Sequence, residues 1–182
     1  PMAKHHFTSK RPDLLFRVRR AIRYQNSQKV FFDSLGDWTN FLTIICGGCV
    51  VFFVAASMTS RSTAAIVFGG LISALTALDL VLGYSVKARQ HADLSRQFYE
   101  LEQSMIKIGD TPSEDELKVT LNRRLEIESK GPFILRVLEA TCHNEVARAM
   151  GWPSTEFAEI GFWQDIFKQF FDFQSDKLVD PR

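Results

Sequence analysis

Two stretches of this chain are free of charge, but for one aspartate, over the thickness of a bilayer, and they constrain the fold more than any other feature. The first is Phe41 to Met58, FLTIICGGCVVFFVAASM. The second runs from Ala64 to Val86 and carries a single ionisable side chain that is acidic, Asp79. Only the short polar segment TSRST, residues 59–63, separates them. A hydrocarbon core of about 30 Å needs about 20 apolar helical residues, so each run is long enough to cross. A connection this short admits only an antiparallel hairpin. The whole-chain averages hide the feature. With 46% hydrophobic residues over 182 positions and a mean hydropathy of -0.06, the chain reads at first as one ordinary domain. The competing reading is a soluble bundle with two central helices buried on all sides, for which the rest of the chain supplies little cover. A secretory signal fits poorly, because the first run begins near residue 38 and a second follows at once.

Charge sets the expected orientation. Residues 1–37 carry eight basic side chains against three acidic ones, the polar link carries only Arg61, and Lys87, Arg89 and Arg96 follow the second run. By the positive-inside rule both ends are cytoplasmic and the link faces outward. Trp38 and Tyr84 suit the aromatic belt at the inner interface. Cys46 and Cys49 are spaced C-x-x-C inside the first run, yet one pair cannot close a zinc site and they read as small packing residues. Cys142 would be reduced in the cytoplasm.

The spans carry packing signals. Ala65, Gly69, Ser73 and Ala77 recur at every fourth position of the second run, and Gly47 and Ala55 fall in similar register in the first. Small residues at this spacing let helices approach closely in lipid, which favours a homo-oligomer. Beside the ladder, Ile72, Thr76, Asp79 and Gly83 share a thin, partly polar strip. Two readings of Asp79 stay open. The strip faces an oligomer axis and lines a cation path, or Asp79 is simply close enough to the cytoplasmic boundary to stay wet.

The flanks read as helices. Asp13–Phe32 has a stripe of Leu14, Val18, Ile22 and Gln25, with basic residues on other faces that suit either anionic headgroups or packing on cytoplasmic helices. The second span is expected to run on without a break into a helix whose His91, Leu94, Phe98, Leu101, Met105 and Ile108 form a heptad seam for oligomerisation. Ser113 to Glu116 is a capping box opening another helix, with Leu117, Leu121 and Leu125 as its apolar stripe. Residues 129–132, SKGP, stop that helix, and Phe133–Met150 reads as a third. An aromatic amphipathic helix, Thr155–Phe173, is expected to close the chain. Six acids against three bases over residues 152–182 point it toward protein, such as the basic N-terminal segment of a neighbouring subunit, and away from an anionic leaflet.

The chain thus divides into a basic helix over 1–37, a hairpin over 38–86 with spans at about 38–58 and 64–86, a cytoplasmic bundle over 87–151 and a tail over 152–182. The fold class is an all-α membrane protein whose two-span hairpin is continuous with a cytoplasmic helical bundle. No phosphate loop, nucleophile elbow or metal-binding pattern occurs, so neither an enzyme, a cofactor nor a metal site is expected. Arg19, Arg20, Arg23, Arg123 and Arg124 are anion-binding candidates by charge alone. Nucleic acid is not an expected partner.

The order of parts, and Arg89, His91, Leu94, Phe98, Tyr99, Leu101 and Glu102 followed by the Leu117–Arg124 helix and Pro132, resemble the SLATT family over roughly residues 14–150. These are bacterial two-span effectors found beside nucleotide second-messenger synthases in anti-phage systems. The resemblance implies a membrane effector whose oligomers form or open a pore after infection, with a cyclic oligonucleotide or a sensor protein as trigger. A membrane-anchored scaffold without pore activity is the main alternative, and a phage-type hole-forming protein, for which the large cytoplasmic part is long, is the other. The tail after Trp152 lies outside the pattern.

Overall fold

The computed structural model describes residues 11–55, 62–109, 112–153, 155 and 157–170, and every regular element among them is a helix. In chain order these are α1 (Arg11–Ala55), α2 (Ser62–Leu82), α3 (Tyr84–Ile108), α4 (Glu114–Ser129), α5 (Arg136–Ala149) and α6 (Phe162–Phe167). The chain divides into two compact units, one of residues up to Gln28 together with those from Gln90 onward, the other of Lys29–Arg89.

The first unit is a packed bundle. Leu14, Val18 and Ile22 of α1 meet Leu94, Phe98, Leu101 and Met105 of α3, with Ile127 of α4 completing the cluster. The α1 stripe is therefore spent on protein, and its next member, Gln25, is buried too. A second cluster gathers Phe16 with Val146 and Ala147 of α5, flanked by Met150, Trp152 and Phe157. The Trp152 ring stacks on Phe16 at 4.4 Å. A third joins Tyr24 to Leu138 and Cys142, and the Tyr24 hydroxyl accepts the Leu135 amide at 3.0 Å. Full burial of one such side chain contributes about 1.5–3 kcal/mol, so these layers hold the unit together.

Local signals account for most helix ends. Ser113 caps α4: its hydroxyl accepts the Glu116 amide, and the Glu116 carboxylate accepts the Ser113 amide at 2.7 Å. That carboxyl is held below the usual range, chiefly by the Ser113 amide. After α5, Gly151 takes φ 73°, and the Trp152 amide returns to the Ala147 carbonyl at 2.9 Å, which satisfies an orphan carbonyl in Schellman fashion. The third cytoplasmic helix starts later than Phe133–Met150, at Arg136, with Leu135 in extended backbone (ψ 113°) as its N-cap. Leu125 leaves the expected stripe and is exposed, while Ile127 takes its place in the core.

The second unit holds the remainder of α1, all of α2 and the first turns of α3. Gly36, Gly47 and Gly48 do not interrupt α1, so the basic segment and the first apolar run form one helix of 45 residues. Phe53 of α1 and Phe68 of α2 stack at 5.9 Å, Cys46 is buried, and the Lys87 ammonium lies over the Phe32 ring at 5.4 Å. Otherwise the apolar windows stand bare: 6% of the α1 window and none of the α2 window is buried. The soluble-bundle reading required both helices to be covered by the chain itself, and the described residues do not cover them. Most of the polar link lies outside the described residues; its last residues, Ser62 and Thr63, already belong to α2.

Two expectations fail. The second run is not continuous with the helix after it, because Gly83 adopts φ 59° and separates α2 from α3. The aromatic tail is not one helix from Thr155 to Phe173. Only Phe162–Phe167 is helical within the described part, and Phe171 and Phe173 lie outside it. The tail is tied down by side-chain bonds to α5 and α1. Asn144 both donates to the Ala158 carbonyl (2.8 Å) and accepts its amide (2.7 Å), and Gln169 donates to Ser27 at 2.8 Å. These contacts dock the tail on its own chain, with Phe157 inward and Phe162, Trp163, Ile166 and Phe170 left exposed.

Candidate functional site: the bare helices and the Asp79–Gly83 step

Among the described residues, two helices are long and apolar enough to cross a membrane. On α2, Ile72, Thr76 and Asp79 fall on one strip, as their spacing requires. Thr76 is exposed, and Ile72 and Asp79 are half-buried. The Thr76 hydroxyl donates to the Ile72 carbonyl (2.9 Å) and the Ser73 hydroxyl to the Gly69 carbonyl (3.0 Å), so neither presents a free donor. The Asp79 carboxylate makes no hydrogen bond or ion pair among the described residues. Lys87, eight residues on, points instead to the Phe32 ring. The carboxylate therefore sits in the last turn of α2, where the helix dipole is already negative. Gly83, the fourth member of the strip, is outside α2 altogether.

The small-residue ladder is not filled within one chain. A methyl group added at Gly47, Gly48, Gly69 or Gly70 would meet nothing within 4 Å. Ser73, Ala77 and Ala55 are exposed, and Ala65 is half-buried. The ladder is thus open surface and no intrachain packing groove.

The heptad seam has the opposite fate. His91, Leu94, Phe98, Leu101 and Met105 are each at most 5% exposed, against α1 and α4 of the same chain. The seam is consumed internally and is not available to a second copy, which corrects its assignment to an oligomer interface; Ile108 at its end is half-buried. Its uppermost layers are polar. His91 Nδ1 donates to Gln25 Oε1 at 2.6 Å, Ser95 donates to Asn26 at 2.7 Å, and Asn26 donates to the Tyr99 hydroxyl at 3.3 Å.

The arginines offered as anion ligands are all engaged by carboxylates. Arg19 pairs with Glu102 (2.7 Å), Arg20 with Glu139 (3.0 Å), Arg23 with Glu145 (3.0 Å), Arg123 with Glu126 (2.6 Å) and Arg124 with Glu128 (2.6 Å). The first three are interhelix bonds that tie the basic face of α1 to α3 and α5. Sequence reasoning missed these partners; the signal was the acid on α3 and the two on α5, in helices whose apolar stripes pointed to the same core. Between α1, α3 and the α4–α5 connection lies a cavity of about 40 Å³ lined in part by Arg17, Arg20, Gln25, Glu128 and Glu139. It has room for a few water molecules, and its charges are balanced. No cluster of metal-ligating side chains occurs among the described residues.

The fold therefore defines a class: an all-helical chain with two membrane-length apolar helices and a separately packed helical bundle. Beyond that class, no family model, curated protein or solved structure matches the chain.

Proposed function

We propose that this chain is an oligomeric membrane effector that forms or gates a pore, acting in bacterial anti-phage defence by disrupting the inner membrane. The observation that carries the membrane part is the bareness of both apolar helices, a surface that water would not tolerate over two lipid-length segments. The open glycine ladder supports self-association through the spans, since close helix approach in lipid uses such faces. With the α3 seam occupied inside the chain, the spans are the surface left for this role. The defence setting, the inner membrane with both termini cytoplasmic, and a nucleotide or sensor-protein trigger rest on the resemblance to SLATT effectors.

Purified chain reconstituted in liposomes is expected to release a trapped cation dye after addition of a cyclic oligonucleotide, and Asp79→Asn to change cation preference. Sealed vesicles across a range of protein densities, with and without the nucleotide, would refute the pore. The second reading, a membrane-anchored scaffold, is favoured by one observation: every candidate arginine is already neutralised by a carboxylate, leaving no evident anion pocket. In that case a partner protein binds the helical bundle and no flux occurs.

A further inference from the structure

Three glycines among the described residues have positive φ: Gly83, Gly109 and Gly151. The last two end helices that pass into loops. Gly83 does not, because α3 begins at the next residue. At this step the helical ladder is cut. The Gly83 amide still closes on the Asp79 carbonyl at 2.8 Å, but the Val86 amide turns to the Gly83 carbonyl at 3.1 Å, which also takes the ordinary helical bond from the Lys87 amide at 3.0 Å. The Leu82 carbonyl is thereby left without the amide a continuous helix would give it. The residues around it, LVLGYSV over 80–86, are uncharged, and Leu80 and Val81 are 84% and 80% exposed. No nearby acidic or basic side chain takes over the lost bonds.

Two properties make this step more than a cap. A methyl group at Gly83 would find its nearest neighbour, Val86 Cβ, at 3.9 Å. Space is therefore adequate, and only the left-handed backbone excludes other residues. Unmet carbonyls are tolerable where water reaches them and strongly disfavoured in hydrocarbon. A broken and a continuous helix thus trade stability according to the hydration of one short segment.

We propose that Gly83 is a conformational joint at which the segment from Ser62 to Ile108 exchanges between the broken form described above and one continuous helix. Wetting of the α2 end holds the joint broken, and dehydration straightens it. The joint deepens the pore reading by supplying its gate, at the end of the strip that carries Thr76 and Asp79.

The test is a pulsed electron–electron distance measurement on full-length chain in lipid nanodiscs. Spin labels are placed at Leu71→Cys and Arg96→Cys, with Cys46, Cys49 and Cys142 replaced by alanine. A continuous helix places these sites about 38 Å apart. Unmodified Gly83 is expected to give a population away from that distance. Gly83→Ala should move the ratio toward the straight form by roughly tenfold, since a left-handed alanine is disfavoured. Gly83→Asn, which tolerates the left-handed region, should retain the broken population. The joint is refuted if the glycine protein already shows only the straight distance, if alanine leaves the distribution unchanged, or if asparagine loses the broken population. Should the alanine protein fail to fold, the asparagine arm and the glycine distribution still decide. Dye flux on the same preparations separates the two proposals: distances that shift in a chain that never conducts refute the pore and keep the joint.

Discussion

The two units of this chain are built from the same secondary structure and solve opposite problems. In the bundle, α1 and α3 spend their apolar stripes on each other, so that Val18 and Phe98 are at most 1% exposed. In the Lys29–Arg89 unit the same two helices, with α2, leave Ile44, Val51, Ile66 and Leu80 open. One helix, α1, passes from the first regime to the second with no change in backbone. Helix formation is thus indifferent to the solvent, whereas burial is decided by which side chains find partners. A stripe with charged neighbours folds onto its own chain; a helix apolar on all faces needs cover from lipid or from other protein.

Excision breaks the comparison most severely. Gln25 and His91 are hydrogen bonded, so a short Gly-Ser linker from Gln28 to Gln90 can replace the apolar unit. The shortened chain is expected to be soluble and helical without detergent, while the full chain aggregates when detergent is removed. Size-exclusion chromatography and circular dichroism check both; a shortened chain that aggregates would show that the bundle depends on the spans. Core truncation comes next. Phe98→Ala should lower bundle stability by about 3–5 kcal/mol, whereas Leu80→Ala, on the bare helix, should leave the bundle melting curve within about 0.5 kcal/mol. Equal effects on denaturant unfolding followed by Trp152 fluorescence would erase the distinction.

A smaller effect concerns Cys142, whose thiol is pushed up to about 12, first by burial and then by Glu145, against Lys168, Arg23 and Arg20. The folded state holds the proton more tightly than the unfolded chain. Stability is therefore undiminished below the ordinary thiol range and falls as pH rises from about 9 toward 12. Cys142→Ala should flatten that alkaline loss, and native Cys142 should resist maleimide at neutral pH. The smallest effect is at the α4 cap. Ser113→Ala is expected to cost about 1 kcal/mol. The Glu116 carboxyl is held low first by the Ser113 amide, which alanine keeps, and then by the Ser113 hydroxyl, so only the hydroxyl's share is present above the usual carboxylate range and lost as pH falls through the lowered value. A mutant whose acid-side melting curve parallels that of the parent would contradict this.

Much of the architecture was written locally. The uncharged runs announced the membrane-length helices, S-x-x-E announced the α4 cap, and Leu14, Val18 and Ile22 announced the buried face of α1. Each depends on residues within a few turns, where spacing alone determines which side chains share a face. Three matters were not local. The period of His91 to Met105 marks a buried stripe but not its partner, and the partner proved to be α1 of the same chain. The charges of Arg19, Arg20 and Arg23 suggested anions until α3 and α5 brought Glu102, Glu139 and Glu145 within bonding distance. A glycine between apolar residues passes equally for helix interior or helix end, and Gly83 became an end only through its φ of 59°. Sequence by itself determined the long helices, though not the extent of the tail helix, and which segments are apolar enough for lipid. Tertiary structure decided which faces meet and where the second apolar run breaks, because partner choice depends on residues far apart in the chain.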